Sequence, residues 1–185
     1  LSGVTDMSEM FLEAESLNDN IDNWDVSTIT TMRSLFEDAV VFNQPLNSWD
    51  VSNVTNMAEM FSDAEVFDQP LNSWNVSSVT TMEEMFFFAR AFNQDLSTWV
   101  VDNVENMADM FTRSQFDQDI SGWNVSNVTN LDGTFQSTPF NQDISGWNVS
   151  SVTIMRNLFR GAESFNQDIS GWNVSSVTNM FGMFS

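Results

Sequence analysis

The chain has no cysteine, histidine, lysine or tyrosine among its 185 residues. Without cysteine there is no disulfide framework, no thiolate metal site and no thiol nucleophile. Without histidine, Ser-His-Asp catalysis and the usual zinc sites are excluded too. Five arginines stand alone against 26 acidic residues, giving a formal net charge of −21. Such a surface repels phosphate backbones and anionic lipid, so nucleic acid is not an expected partner. No apolar run approaches the roughly 20 residues needed to cross a bilayer, so direct membrane insertion is not expected either. The seven glycines form no phosphate-cradling loop. A fold made from this chain must be held by packing alone.

What the chain does contain is repetition. Trp24, Trp49, Trp74, Trp99, Trp123, Trp147 and Trp172 recur at steps of 25, 25, 25, 24, 24 and 25. Phe42, Phe67, Phe92, Phe116, Phe140 and Phe165 each open a Phe-(Asn/Asp)-Gln triplet on the same step, and Leu17 holds that place in the first copy. A third marker, Met-x-x-Met-Phe, spans Met7 to Phe11, Met57 to Phe61, Met82 to Phe86 and Met107 to Phe111. A fixed period of this length is the signature of stacked repeats.

Two periods alternate inside the unit. Trp123-Asn124-Val125 has a period of two, which predicts a short strand with Trp and Val inward, stable only in a parallel ladder with its equivalents. Met57, Met60, Phe61 and Ala64 fall at i, i+3, i+4 and i+7, which predicts a short helical segment capped by Thr55 and Asn56. The amides of Asn43, Asn93, Asn141 and Asn166 recur in register and are expected to be structural. The expected fold is thus a repeat solenoid: a leucine-rich-repeat-like right-handed horseshoe, with one short parallel strand and a short helical segment in each 24- or 25-residue unit.

The unit Phe-Asn-Gln-Asp-Ile-Ser-x-Trp-Asn-Val-Ser-x-Val-Thr-Asn-Met-x-x-Met-Phe resembles the BspA-like leucine-rich-repeat surface proteins, in the variety common in mycoplasma lipoproteins. The resemblance covers nearly the whole chain. It implies an extracellular or cell-surface adhesion or interaction role and supplies no catalytic residues. Residues 1–185 are read as one solenoid domain of about seven repeats, a piece of a longer surface protein because Leu1 and Ser185 interrupt the unit.

The side chains beside each Trp are the candidate contacts. On a horseshoe they would line the concave face as Asp25, Asp50, Asn75, Asn124, Asn148 and Asn173, with Val100 interrupting the row. Phe87 and Phe88 stand where other units carry Ser-Asp, Glu-Asp or Leu-Glu, either as an aromatic contact surface or folded under the adjoining loop. Acidic pairs such as Asp63 with Glu65 and Glu83 with Glu84 occupy positions filled elsewhere by Ser, Arg or Gly and are expected to be a solvated face. No cofactor is expected; calcium suits the oxygen-rich composition, but no calcium-loop motif is present. The expected function is non-catalytic: adhesion or interaction with a protein or carbohydrate ligand. The alternative is a structural spacer or self-assembling stalk, with copies associating end to end.

Overall fold

The computed structural model describes residues 3–185, so the expected register of Leu1 lies outside the described residues. Consecutive units lie on one another as stacked coils. Seven parallel bridges connect them through one residue per coil, running from Asp6 to Thr31, Asn56, Thr81, Asn106, Asn130, Ile154 and Asn179. These eight positions number the coils one to eight.

The expected horseshoe of strands and helices is not what forms. Among the described residues there is no α-helix, and pairing is confined to the isolated bridges. The Trp-x-Val triplets do not pair, because local turns consume nearby amides: Trp49 N–H donates to the Leu46 carbonyl at 3.1 Å and Val54 N–H to the Val51 carbonyl at 2.9 Å. The continuous contact lies one step on, where Thr30 N–H donates to the Thr5 carbonyl and Met32 N–H to the Asn56 carbonyl.

The expected helical segment is a run of tight turns. Met60 N–H returns to the Met57 carbonyl and Ala64 N–H to the Phe61 carbonyl, each three residues back. The alternate amides leave the coil altogether: Met57, Glu59, Phe61 and Asp63 donate to Thr81, Glu83, Met85 and Phe87 of the next. A helix would hold those amides internally. It would also need negative φ throughout, whereas Glu59 and Asp63 sit at +59° and +53°. Equivalent left-handed positions recur in other coils, including Ser34 and Asp38, Glu84 and Phe88, Asp109 and Arg113, and Gly133 and Ser137.

Aromatic columns fill the interior. Phe36, Phe61, Phe86 and Phe111 stack at 5.4, 5.6 and 5.8 Å between ring centroids. Phe42, Phe67, Phe92 and Phe116 run beside them, as close as 3.8 Å between Phe86 and Phe92. The indoles form a third column that also satisfies backbone. Trp49, Trp74, Trp99, Trp123, Trp147 and Trp172 each donate Nε1–H to the Ile or Leu carbonyl that opens the preceding coil's Trp turn, at 2.9–3.2 Å. Each of those carbonyls thus takes two donors, the indole and the backbone amide of its own coil's Trp, so both of its lone pairs are used.

The Phe-(Asn/Asp)-Gln triplets form a second polar ladder. Asn43 Oδ1 accepts from Asp68 N–H and Gln69 Nε2–H, both at 3.0 Å. Asp68 Oδ1 does the same for Asn93 and Gln94, and Asn93 Oδ1 for Asp117 and Gln118. Only an acceptor oxygen is needed, which explains why Asn and Asp interchange there. No described helix is long and apolar enough to cross a membrane.

Candidate binding face

Asp25, Asp50, Asn75, Asn124, Asn148 and Asn173 are all exposed and fall in one row along the stack. No horseshoe makes that row concave. Each folds its side chain onto its own backbone as an Asx turn: Oδ1 accepts the amide of the serine two residues on, at 3.1 Å in Asp25 and Asp50 and 3.2–3.3 Å in the four asparagines. In Asp25 and Asp50 the same oxygen also accepts the serine hydroxyl at 2.6 Å. That hydroxyl, then the amide, holds both carboxyls below the usual carboxylate range. Val100 cannot make this turn and breaks the row. Among the described residues the other side-chain polar atom of each, Oδ2 or Nδ2, makes no hydrogen bond to protein, and each residue is exposed.

A second row of the same construction was not singled out from sequence. Asp95, Asp119, Asp143 and Asp168 accept the amides of Ser97, Ser121, Ser145 and Ser170 at 2.8–2.9 Å. Hydrogen bonds from those serines hold all four carboxyls low, the backbone amide leading in the first three and the hydroxyl in Asp168. The signal was available as Asp-(Leu/Ile)-Ser before each of the last four Trp residues. Nearby, Thr30, Thr55, Thr80, Thr129, Thr153 and Thr178 form an exposed column whose hydroxyls donate to the preceding coil at 3.1–3.2 Å.

Phe87 and Phe88 lie elsewhere, on the face made by the left-handed turns. Neither is fully buried; their rings touch at 4.5 Å and 51°. Two guanidiniums sit over Phe88, Arg113 at 4.7 Å and Arg90 at 5.7 Å from its centroid.

The same turns stack carboxylates. Burial is the leading cause that lifts Glu37, Asp63, Glu84 and Asp109 above their ordinary range, reinforced by Glu59, Asp38 or Asp132 nearby. Asp109 accepts the Thr112 hydroxyl at 2.8 Å. Among the described residues no group of three or more acidic side chains is arranged to hold a metal ion. The cleft on the last coils is lined mainly by Phe159, Ala162, Phe165 and Phe184, with Glu163 as its one ionisable side chain.

A single family model matches the chain twice, over residues 1–99 and 92–185, and it describes a Mycoplasma protein of unknown function, DUF285. The chain belongs to the DUF285 family. No curated protein and no solved structure matches it. Among the described residues there is no helix and no strand beyond isolated bridges, which overturns the leucine-rich-repeat horseshoe. The two matched segments together span every coil, so Asx rows, indole ladder and left-handed turns all lie inside the DUF285 repeat.

Proposed function

We propose that the chain is a non-catalytic interaction module of a cell-surface protein, binding an extended protein or carbohydrate along its Asx rows. The observation that carries this reading is the division of labour within each Asx side chain. One oxygen is fixed by the turn, so the side chain has lost its rotamer freedom before any ligand arrives, and the second polar atom remains in water. Repeated at about 4.8 Å per coil, such atoms suit a partner that is itself repetitive. The resemblance of the unit to BspA-like surface proteins supports an extracellular location.

A spacer without a ligand is the second reading, favoured by the fact that each Asx residue already serves its own turn. The triple variant Asn124→Ser, Asn148→Ser and Asn173→Ser separates the two, because serine keeps an oxygen for the turn and removes the amide. Biolayer interferometry against immobilised neutral and acidic polysaccharides and extracellular-matrix proteins is expected to show binding that weakens roughly tenfold or more in the variant, with the melting temperature unchanged. Binding that ignores the substitutions, or no binding to any surface, would leave the spacer.

A further inference from the structure

We propose, on the reading of the chain as an interaction module, that coils five to seven form its binding surface and that the ligand is an uncharged β-linked glycan running along the stack. In coil five, Asp119 and Asn124 stand on either side of the turn Ile120-Ser121-Gly122-Trp123, which Trp123 N–H closes on the Ile120 carbonyl at 3.0 Å. Both are exposed. The Ser121 amide fixes Asp119 Oδ1 at 2.9 Å and the Ser126 amide fixes Asn124 Oδ1 at 3.3 Å. What each has left to offer is opposite in kind, since a carboxylate only accepts and the Asn124 Nδ2 only donates.

Coils six and seven repeat this set, with Gly146 and Gly171 in the place of Gly122. No earlier coil completes it. The place of Asp119 is held by Asn20, Pro45 and Pro70 in coils one to three, and in coil four Asp95 is matched with Val100. The glycines point to the same three coils independently. None of them has a left-handed φ, and a β-carbon on any of them would meet nothing within 4 Å. Coils one to four carry Asn23, Ser48, Ser73 and Thr98 at that corner, so neither backbone nor packing calls for glycine. Its effect is to leave bare backbone between a row of acceptors and a row of donors.

A sugar hydroxyl both donates and accepts, so neighbouring hydroxyls of one ring satisfy the carboxylate and the amide together. A formal charge of −21, with Asp119, Asp143 and Asp168 bordering the surface, repels uronic and sulfated chains. Pitch argues against a peptide. The sets recur at about 4.8 Å, whereas side chains on one face of a β-strand recur at about 6.7 Å. A polyproline-type chain, repeating at about 9.3 Å, would meet only every second coil. One hexose of an extended β-linked chain advances by about one coil.

Biolayer interferometry of the whole chain tests this, against immobilised neutral β-linked hexasaccharides of glucose, N-acetylglucosamine and mannose, with hexagalacturonate and extracellular-matrix proteins beside them. A neutral hexasaccharide is expected to bind. Asn148→Asp replaces the donor by an acceptor and keeps the turn, as Asp50 does at the same place in coil two. Gly146→Gln fills the corner. Each should weaken binding roughly tenfold or more, while Ser73→Gln, at the same corner in coil three, leaves it unchanged. All three variants should melt with the parent. Binding to matrix proteins without any neutral glycan overturns this inference and leaves the interaction module standing. A preference for hexagalacturonate, or glycan binding indifferent to both coil-six variants, overturns it as well; no binding to any surface removes the interaction module with it.

Discussion

The carboxylate of Asp109 fills the space that a β-carbon on Gly133 would need. In this stack the coil above cannot be chosen independently of the coil below: an added Cβ would collide with Asp109 Oδ1 and come within 2.8 Å of its Cγ, and Gly133 also sits at φ +60°.

Gly133→Ala should therefore lower stability by about 2–4 kcal/mol, from left-handed strain and overpacking together. Gly161 is a graded control, since its Cβ would meet only the Ser137 hydroxyl at 3.0 Å, at φ +65°. Gly161→Ala should cost about 1–2 kcal/mol. Gly122→Ala meets nothing within 4 Å and should change stability by no more than about 0.5 kcal/mol. Urea titration of the three variants gives the ranking, and equal losses at Gly133 and Gly122 would contradict the contact.

Trp99 combines packing with a hydrogen bond. It is 3% exposed, stacks between Trp74 and Trp123, and donates to the Leu71 carbonyl at 3.0 Å. Trp99→Ala is expected to cost about 3–5 kcal/mol. Trp99→Phe keeps an aromatic ring and removes one of that carbonyl's two donors, the Trp74 amide remaining, for about 0.5–1.5 kcal/mol. A phenylalanine variant as stable as the parent would show that the indole N–H contributes nothing.

Stability should pass through a maximum on the acidic side of neutrality. Glu37, Asp63, Glu84 and Asp109 titrate above their unfolded values, so in that window the native state binds more protons and stability rises as pH falls. Asp50, Asp95, Asp119 and others in the Asx turns titrate below theirs. Their contribution is present above the usual carboxylate range, about pH 4, and is lost as pH falls through their folded values. Chemical denaturation between pH 7 and pH 3 reads both limbs. A stability that only declines on acidification would show that the stacked carboxylates are not strained.

Removal of residues 57–81 joins Asn56 to Met82 and deletes one period. The inter-coil bonds on either side connect equivalent residues about 25 apart, so the new neighbours meet in register and the chain should fold cooperatively with one stacking contact fewer. Removal of only 57–68 would put the Trp74 indole out of step with the Leu46 carbonyl and should unfold the affected coils. Circular dichroism and denaturant m-values distinguish the outcomes.

The 25-residue step was legible because Trp99 and Phe92 mark bonds that repeat with it. The local conformation was not. Met57, Met60, Phe61 and Ala64 point inward at intervals of three and four, a spacing that successive turns share with a helix, and hydrophobic periodicity records only which side chains are inside. The distinguishing signal lay in the intervening letters. Where one unit has Glu59, others have Asp109, Gly133, Asn157 and Gly182; glycine and asparagine recur there because the backbone is left-handed. The Trp-Asn-Val alternation misled for a related reason, since Asn124 bonds Ser126 in a turn that alternates inside and outside as a strand does. The row beside Trp was readable as exposed, but the Arg113 and Phe88 contact joins residues in adjacent coils and could not be seen along the chain.

The Phe-(Asn/Asp)-Gln ladder has a consequence for how the protein ages. Slow hydrolysis of an asparagine amide to a carboxylate ordinarily removes a donor and adds charge. At Asn43 or Asn93 only the oxygen is engaged, and Asp68 and Asp117 already hold the same two bonds with a carboxylate. Deamidation to aspartate would leave these rungs intact, so the stack can lose amides over a long lifetime without losing its register.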